Sequence, residues 1–145
     1  MFLGQYEHTI DEKGRLTIPA RYRELLSEGA YVTRGFYKNL YVLTTASFQH
    51  VFYQVNTTSL TNPGSRSLRH LLFANAERVE VDKAGLILIP QFLRQTAGLG
   101  SSAFVVGAGS FFEIWSSETW DEQNRLLDDA EANTQLYAAF DLSAT

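Results

Sequence analysis

Two stretches of this 145-residue chain repeat one another 71 residues apart. Asp11-Glu12-Lys13-Gly14-Arg15-Leu16-Thr17-Ile18-Pro19 is echoed by Asp82-Lys83-Ala84-Gly85-Leu86-Ile87-Leu88-Ile89-Pro90, and each proline is followed four residues later by an arginine, Arg23 and Arg94. An internal repeat constrains the fold more than any local pattern, because two similar units must find one common packing. It predicts two like halves packed on each other, each carrying a turn with a polar, partly basic tip.

The periodicity fills in the unit. Tyr6, His8 and Ile10 alternate before the first turn, and Leu16 and Ile18 alternate after it, which reads as strand, Gly-containing turn, strand. Pro19 suits the first turn of a short helix whose buried stripe would be Tyr22, Leu25 and Leu26, ended by Gly29. Strands are expected at Tyr31–Thr33 and Leu40–Leu43. A helix capped by Thr45 would then bury Phe48, Val51, Phe52 and Val55. The second half repeats the order: Val79 and Val81, the turn, Leu86–Ile89, a helix opened by Pro90 and stopped near Gly98. Strands at Ala103–Val106 and Phe111–Trp115 follow, then a helix capped by Ser117. Gly107 and Trp120 lie 72 residues after Gly35 and Phe48, so a single inserted residue separates the two alignments.

Four segments result. Residues 1–56 form the first repeat and 57–78 a connecting loop and helix, the helix running from Arg66 to Ala76 with Leu68, Leu71, Leu72 and Ala76 on one face. Residues 79–124 form the second repeat, and 125–145 an acidic helix and tail expected to fray at its end. The two repeats should share one compact domain, since a chain of this length can bury a core unaided.

Composition bounds the partners. There is no cysteine, so neither a disulfide framework nor a cysteine-based zinc site is available. The opening residues lack the basic and apolar regions of a signal peptide, and no stretch reaches the length of a membrane span. A cytoplasmic location without membrane association is the expectation. Net charge is −4, but its distribution matters more. Residues 1–100 hold 11 Lys and Arg against 8 Asp and Glu, whereas residues 101–145 hold Arg125 alone against 8 acids. Segregation of this kind fits a partner of one sign, and a solvated acidic tail accounts for half of it.

In the turns, Gly14 and Gly85 supply positive φ, and Asp11 and Asp82 bond the backbone ahead of them; both pairs are structural. Lys13 and Arg15 are not required by a turn. On spacing alone a solvated basic turn is the simpler account, but Arg21 and Arg23 would add cations at the same end. Phosphate contacts are driven by charge, whereas reading a base needs a fork such as guanidinium against a guanine edge, and Arg15 is the candidate for that role. His8, His50 and His70 stand alone without zinc spacing. Gly107-Ala108-Gly109-Ser110 joins two strands and leads into no helix, so it reads as a tight turn rather than a phosphate loop. Glu113 is expected to face solvent. No acid, base and oxyanion site assembles, so no catalytic residue, metal or cofactor is expected. Most aromatics fall on core positions, whereas Phe36 and Tyr37 lie in a turn and should be exposed.

The doubled Asp-x-Lys-Gly-Arg-x-x-Ile-Pro stretch resembles the MraZ family. Phe2-x-Gly4, His8-x-x-Asp11, Leu93-Arg94, Ala97-Gly98-Leu99, Phe112-Glu113-Ile114-Trp115 and Trp120 extend the resemblance over the whole chain. Single copies of a similar hairpin occur in AbrB and SpoVT transcription factors and related antitoxins; the duplication selects MraZ. The resemblance implies an α+β, β-rich pseudo-two-fold barrel of interleaved hairpins with peripheral helices. It also implies a ring of protomers and a DNA-binding transcriptional regulator, a repressor or autoregulator, acting at direct promoter repeats of the bacterial division and cell-wall gene cluster. Nucleoid association would follow, with no small-molecule substrate.

The family's motif lysine and arginine fall on Lys13 and Arg15, and its helix arginine on Arg23. In the second copy Leu86 replaces the arginine, leaving Lys83 and Arg94 as the cations there. Leucine neither pairs with phosphate nor reads a base, so this turn should contribute less to DNA, and Leu86 could serve packing instead. The acidic C-terminal helix is expected away from the Arg15 rim. The other reading kept open is an antitoxin-like or scaffolding module that binds a protein and touches DNA incidentally.

Overall fold

A computed structural model describes residues 1–144. The first half runs β1 (Gln5–Thr9), β2 (Arg15–Thr17), α1 (Ala20–Arg23), a 3-10 turn at Glu24–Leu26, β3 (Ala30–Arg34), β4 (Leu40–Thr44), α2 (Thr45–Asn56) and α3 (Pro63–Leu72). The second follows with β5 (Glu77–Val79), β6 (Leu86–Leu88), α4 (Gln91–Thr96), β7 (Ser102–Gly107), β8 (Phe111–Trp115), α5 (Ser117–Leu126) and α6 (Ala130–Tyr137). Apart from the 3-10 turn, the second half repeats the first element for element.

Strands of the two halves interleave. One sheet has the order β1-β7-β8-β4-β3-β5, and β2 pairs with β6 in a separate two-stranded ribbon. Exchanging each strand for its repeat equivalent reverses the order of the large sheet and leaves the ribbon unchanged. An approximate two-fold axis therefore passes between β4 and β8 and through the ribbon. All these pairings are antiparallel.

Two expectations are corrected here. The strand–turn–strand unit is not a paired hairpin: β1 bonds to β7 and β2 to β6, and β1 and β2 share only the bridge Ile10–Leu16. Nor is the barrel closed, because β1 and β5 end the six-stranded sheet as edges. Pro19 and Pro90 stand two residues past the ends of the ribbon strands, and a residue without an N–H cannot extend a ladder. The ribbon stays three residues long and covers the sheet as a second layer instead of joining it.

That layering makes the core. Leu16, Ile18, Ile87 and Ile89 from the ribbon meet Val32, Val42, Val105, Phe112 and Ile114 from the sheet, all buried in one cluster. Tyr22 is fully buried among them, its ring edge-on to Phe2 at 5.0 Å, and its hydroxyl donates to the Leu3 carbonyl at 2.6 Å. A buried tyrosine hydroxyl requires such an acceptor.

Local readings shift where tertiary packing overrides them. Leu25 is exposed, because the chain tightens from α-helix to 3-10 after Arg23 and turns that side chain outward. The caps fall one residue early: Thr44 accepts from Ser47 N–H and Ser116 from Thr119 N–H. Phe52 is 44% exposed on a helix expected to bury it. Part of the expected connecting loop is helix, since Asn62 caps α3 and Pro63 opens it. The acidic segment holds the last residues of α5 and then α6, which Asp129 caps by accepting from Ala132 N–H at 3.1 Å. The exposed Phe36 and Tyr37 are as expected. Among the described residues no helix is long and apolar enough to cross a membrane.

Candidate nucleic-acid interface

The ribbon's two faces differ. Leu16 and Ile87 point into the core, so their neighbours Arg15, Thr17, Leu86 and Leu88 point out, with Arg15 opposite Leu88 and Thr17 opposite Leu86. Because β2 and β6 are antiparallel, the two Gly-containing turns lie at opposite ends of this outer face. Ile18 N–H donates to the Gly85 carbonyl and Ile89 N–H to the Gly14 carbonyl, each at 2.9 Å, so each strand is tied to the other half's turn.

Each turn is built by its own aspartate. Asp11 Oδ1 accepts the N–H groups of Lys13 and Arg15 at 3.0 and 2.9 Å; Asp82 Oδ1 accepts those of Ala84 and Leu86 at 2.9 and 3.0 Å. Gly14 and Gly85 follow at φ of 85° and 83°. In the first turn only, the carboxylate also takes the side chain four residues on: Arg15 Nε donates to Asp11 Oδ2 at 2.7 Å. The backbone N–H of Arg15 and then its guanidinium hold the Asp11 carboxyl below its ordinary pKa. The Arg15 side chain keeps 40% of its exposure, and the ion pair uses Nε, so the two terminal nitrogens hold no hydrogen bond among the described residues. Leu86 occupies the matching place beside Asp82, so the second carboxylate has no such partner.

Arg23 and Arg94 cross between the halves. Arg23 Nε donates to the Ile18 carbonyl at 3.0 Å and Arg94 Nε to that of Ile89 at 2.9 Å. Each guanidinium then lies over the glycine of the opposite turn. A Cβ built on Gly14 would sit 2.6 Å from Arg94 Cζ, and one built on Gly85 would overlap Arg23 Cζ. Both turn glycines lie under these arginines.

Lys13, Arg21 and Lys83 are exposed. The geometry thus brings Lys13 and Arg15 together at one end of the ribbon, with Arg94 over that turn, and Lys83 with Leu86 at the other, with Arg23 over it. The expectation that Arg23 joins the Arg15 end and Arg94 the Leu86 end is corrected, because in an antiparallel ribbon each strand delivers its following helix to the other half's turn. Thr17 and Leu88, not singled out from sequence, share the outer face; strand alternation around the buried Leu16 and Ile87 was the signal for them. The helix α5 is tied to the start of β1. Its Trp120 Nε1 donates to Gln5 Oε1 at 2.9 Å, at the start of β1, and six residues of extended chain, about 20 Å, separate Gln5 from Asp11.

Other candidates find ordinary places. Glu113 is half-buried rather than solvent-facing: it sits opposite Tyr41 and accepts from Trp115 Nε1 at 3.0 Å, and burial pushes its pKa up. His8 stacks on Tyr6, with ring centroids 6.3 Å apart. Among the described residues no three His, Cys, Asp or Glu side chains converge as a metal site would need.

Fold and surface define a tandem-repeat protein in which two homologous halves share one core and present paired Asp–Gly turns on one outer ribbon. A family model described as "MraZ protein, putative antitoxin-like" matches the chain twice, over residues 1–71 and 72–142. The chain is 44% identical over 141 residues to the transcriptional regulator MraZ of Herpetosiphon aurantiacus, covering 97% of this chain and 99% of that protein. It is 45% identical over 138 residues to the protein of that name in Roseiflexus castenholzii, covering 95% and 94%, and 45% over 127 residues to that of Thermomicrobium roseum, covering 88% and 89%. The chain belongs to the MraZ family.

Proposed function

We propose that this protein regulates transcription, as a repressor or autoregulator, by binding promoter DNA through the outer face of the β2–β6 ribbon. Arg15 carries the reading. Its guanidinium is braced from behind by Asp11 and open at its far edge, the arrangement that lets an arginine present two parallel donors to a guanine edge at low entropic cost. Lys13 beside it, Arg21, and Lys83 at the other end supply phosphate contacts. Arg23 and Arg94 hold the turns and offer only their remaining guanidinium nitrogens to the backbone. The relatives' shared name, transcriptional regulator MraZ, supports the same role.

Several copies are needed on charge grounds. Asp11, Glu12, Lys13 and Arg15 leave the first turn formally neutral, so one protomer attracts a duplex weakly. A ring presenting many such turns to successive promoter repeats would bind by avidity. The operators proposed are the direct repeats of the division and cell-wall cluster, and the site of action is the cytoplasm, at the nucleoid. The chain is read as a binding protein, not an enzyme. The test is a mobility shift on the DNA upstream of the protein's own gene with random DNA as competitor. Specific retardation that Arg15→Ala removes supports the proposal; equal retention of both DNAs overturns it.

A further inference from the structure

The two halves differ in one place that their sequence likeness does not foretell. In the second half the space beside α5 is filled by Trp115 and Trp120, whose rings lie 5.6 Å apart in a small buried cluster. At the equivalent positions, 72 residues earlier, stand Leu43 and Phe48. They leave an apolar groove of about 550 Å³ beside α2, lined also by Phe36, Tyr41, Val51 and Phe111. The first half therefore has a seat without an occupant.

The last helix shows the converse. α3 in the first half is anchored, since Leu72 is buried and its carbonyl accepts from Thr33 Oγ1 at 2.6 Å. α6 holds the corresponding place in the order of the second half, yet none of its residues is buried. Leu136 is 67% exposed and Phe140, one turn on, 66%. Two large apolar side chains four residues apart form a stripe of the kind that fills a groove.

Charge pairs the two. Residues 29–76, which hold the groove's helix and most of its walls, carry Arg34, Lys38, Arg66 and Arg69 and not one Asp or Glu. Residues 126–142 carry Asp128, Asp129, Glu131 and Asp141 and not one Lys or Arg. Opposed fields of this kind favour encounter and set orientation. Since no residue of α6 is buried in its own chain, we infer that the α6 segment of one protomer docks into the α2 groove of a second copy, Leu136 and Phe140 seated beside Leu43 and Phe48. Each copy offers one groove and one tail, a head-to-tail contact that closes into a ring when the rotation permits. This rests on the self-association proposed above and names the surfaces that make it.

The absence of native cysteine makes the test clean. Val51→Cys and Leu136→Cys variants are mixed under mild oxidation; a disulfide-linked dimer should form in the mixture and not from either variant alone. The double variant should yield covalent multimers, whereas an internally linked monomer would put the tail in its own groove and overturn the inference. Absence of any cross-link overturns it as well, leaving the groove to another occupant. In parallel, light scattering compares the native chain with Leu136→Asp/Phe140→Asp, which alters only exposed side chains. Loss of the assembled species is expected. Unchanged assembly overturns the docking inference and leaves the ring reading standing; a native chain that is monomeric at every concentration overturns both.

Discussion

Arg94, from the second repeat, lies over Gly14 of the first, its Cζ 2.6 Å from where a Cβ would stand. Its Nε meanwhile holds the Ile89 carbonyl at 2.9 Å, and Ile89 N–H holds the Gly14 carbonyl at 2.9 Å. Arg23 treats Gly85 the same way through Ile18. Each turn's shape is thus set locally by its aspartate and secured by the other repeat, so neither half presents its turn without its partner. The glycine serves two needs at once, the positive φ and the space for the guanidinium.

Gly14→Ala should destabilise the fold by about 1–2 kcal/mol from the positive φ alone. Because the guanidinium over it is the mobile end of a long side chain, Arg94→Ala should relieve the added steric part. Chemical denaturation of both single variants and the pair should therefore show a double-variant cost smaller than the sum. Strict additivity would mean the arginine is not in contact with the glycine.

Arg15→Ala should abolish specific retardation of promoter DNA while stability changes by less than about 1 kcal/mol, since an exposed ion pair contributes little. Normal binding by the variant would remove Arg15 from the interface.

Leu86→Arg should strengthen binding. The new side chain would rise beside the Asp82 carboxylate as Arg15 does beside Asp11, and each additional phosphate neutralised steepens the salt dependence by roughly 0.9. An unchanged slope would place the second turn off the DNA.

Two carboxyls give opposite pH signatures. Asp11 is depressed, chiefly by the Arg15 backbone N–H, so its contribution is present above the unfolded carboxyl value of about 3.9 and lost as pH falls through the lower folded value. Asp11→Asn should flatten that acid limb. Glu113 is raised by burial, against an ordinary 4.5. Its folded form is favoured below that value and penalised as pH rises through the folded pKa. Glu113→Gln, which keeps an acceptor for Trp115 Nε1, should be at least as stable as the native chain at pH 7, with the difference closing in acid. A variant less stable than the native chain at neutral pH would show that the ionised carboxylate is favoured.

The duplicated sequence determined the turns, the order of elements and the orientation of the ribbon. Asp11, Gly14 and the prolines act within four or five residues of themselves, so their effects can be read where they stand. It also located Arg15 and Lys13 as outward cations. Tertiary structure alone decided which strand each edge would bond to. Backbone N–H and C=O groups carry no label, and β1 met β7 instead of β2 because pairing across the halves lets both apolar faces close over one core. The same closure crossed Arg23 and Arg94 over each other's turns, and left α2 with an open groove where Leu43 and Phe48 are too small to fill what two tryptophans fill in the other half.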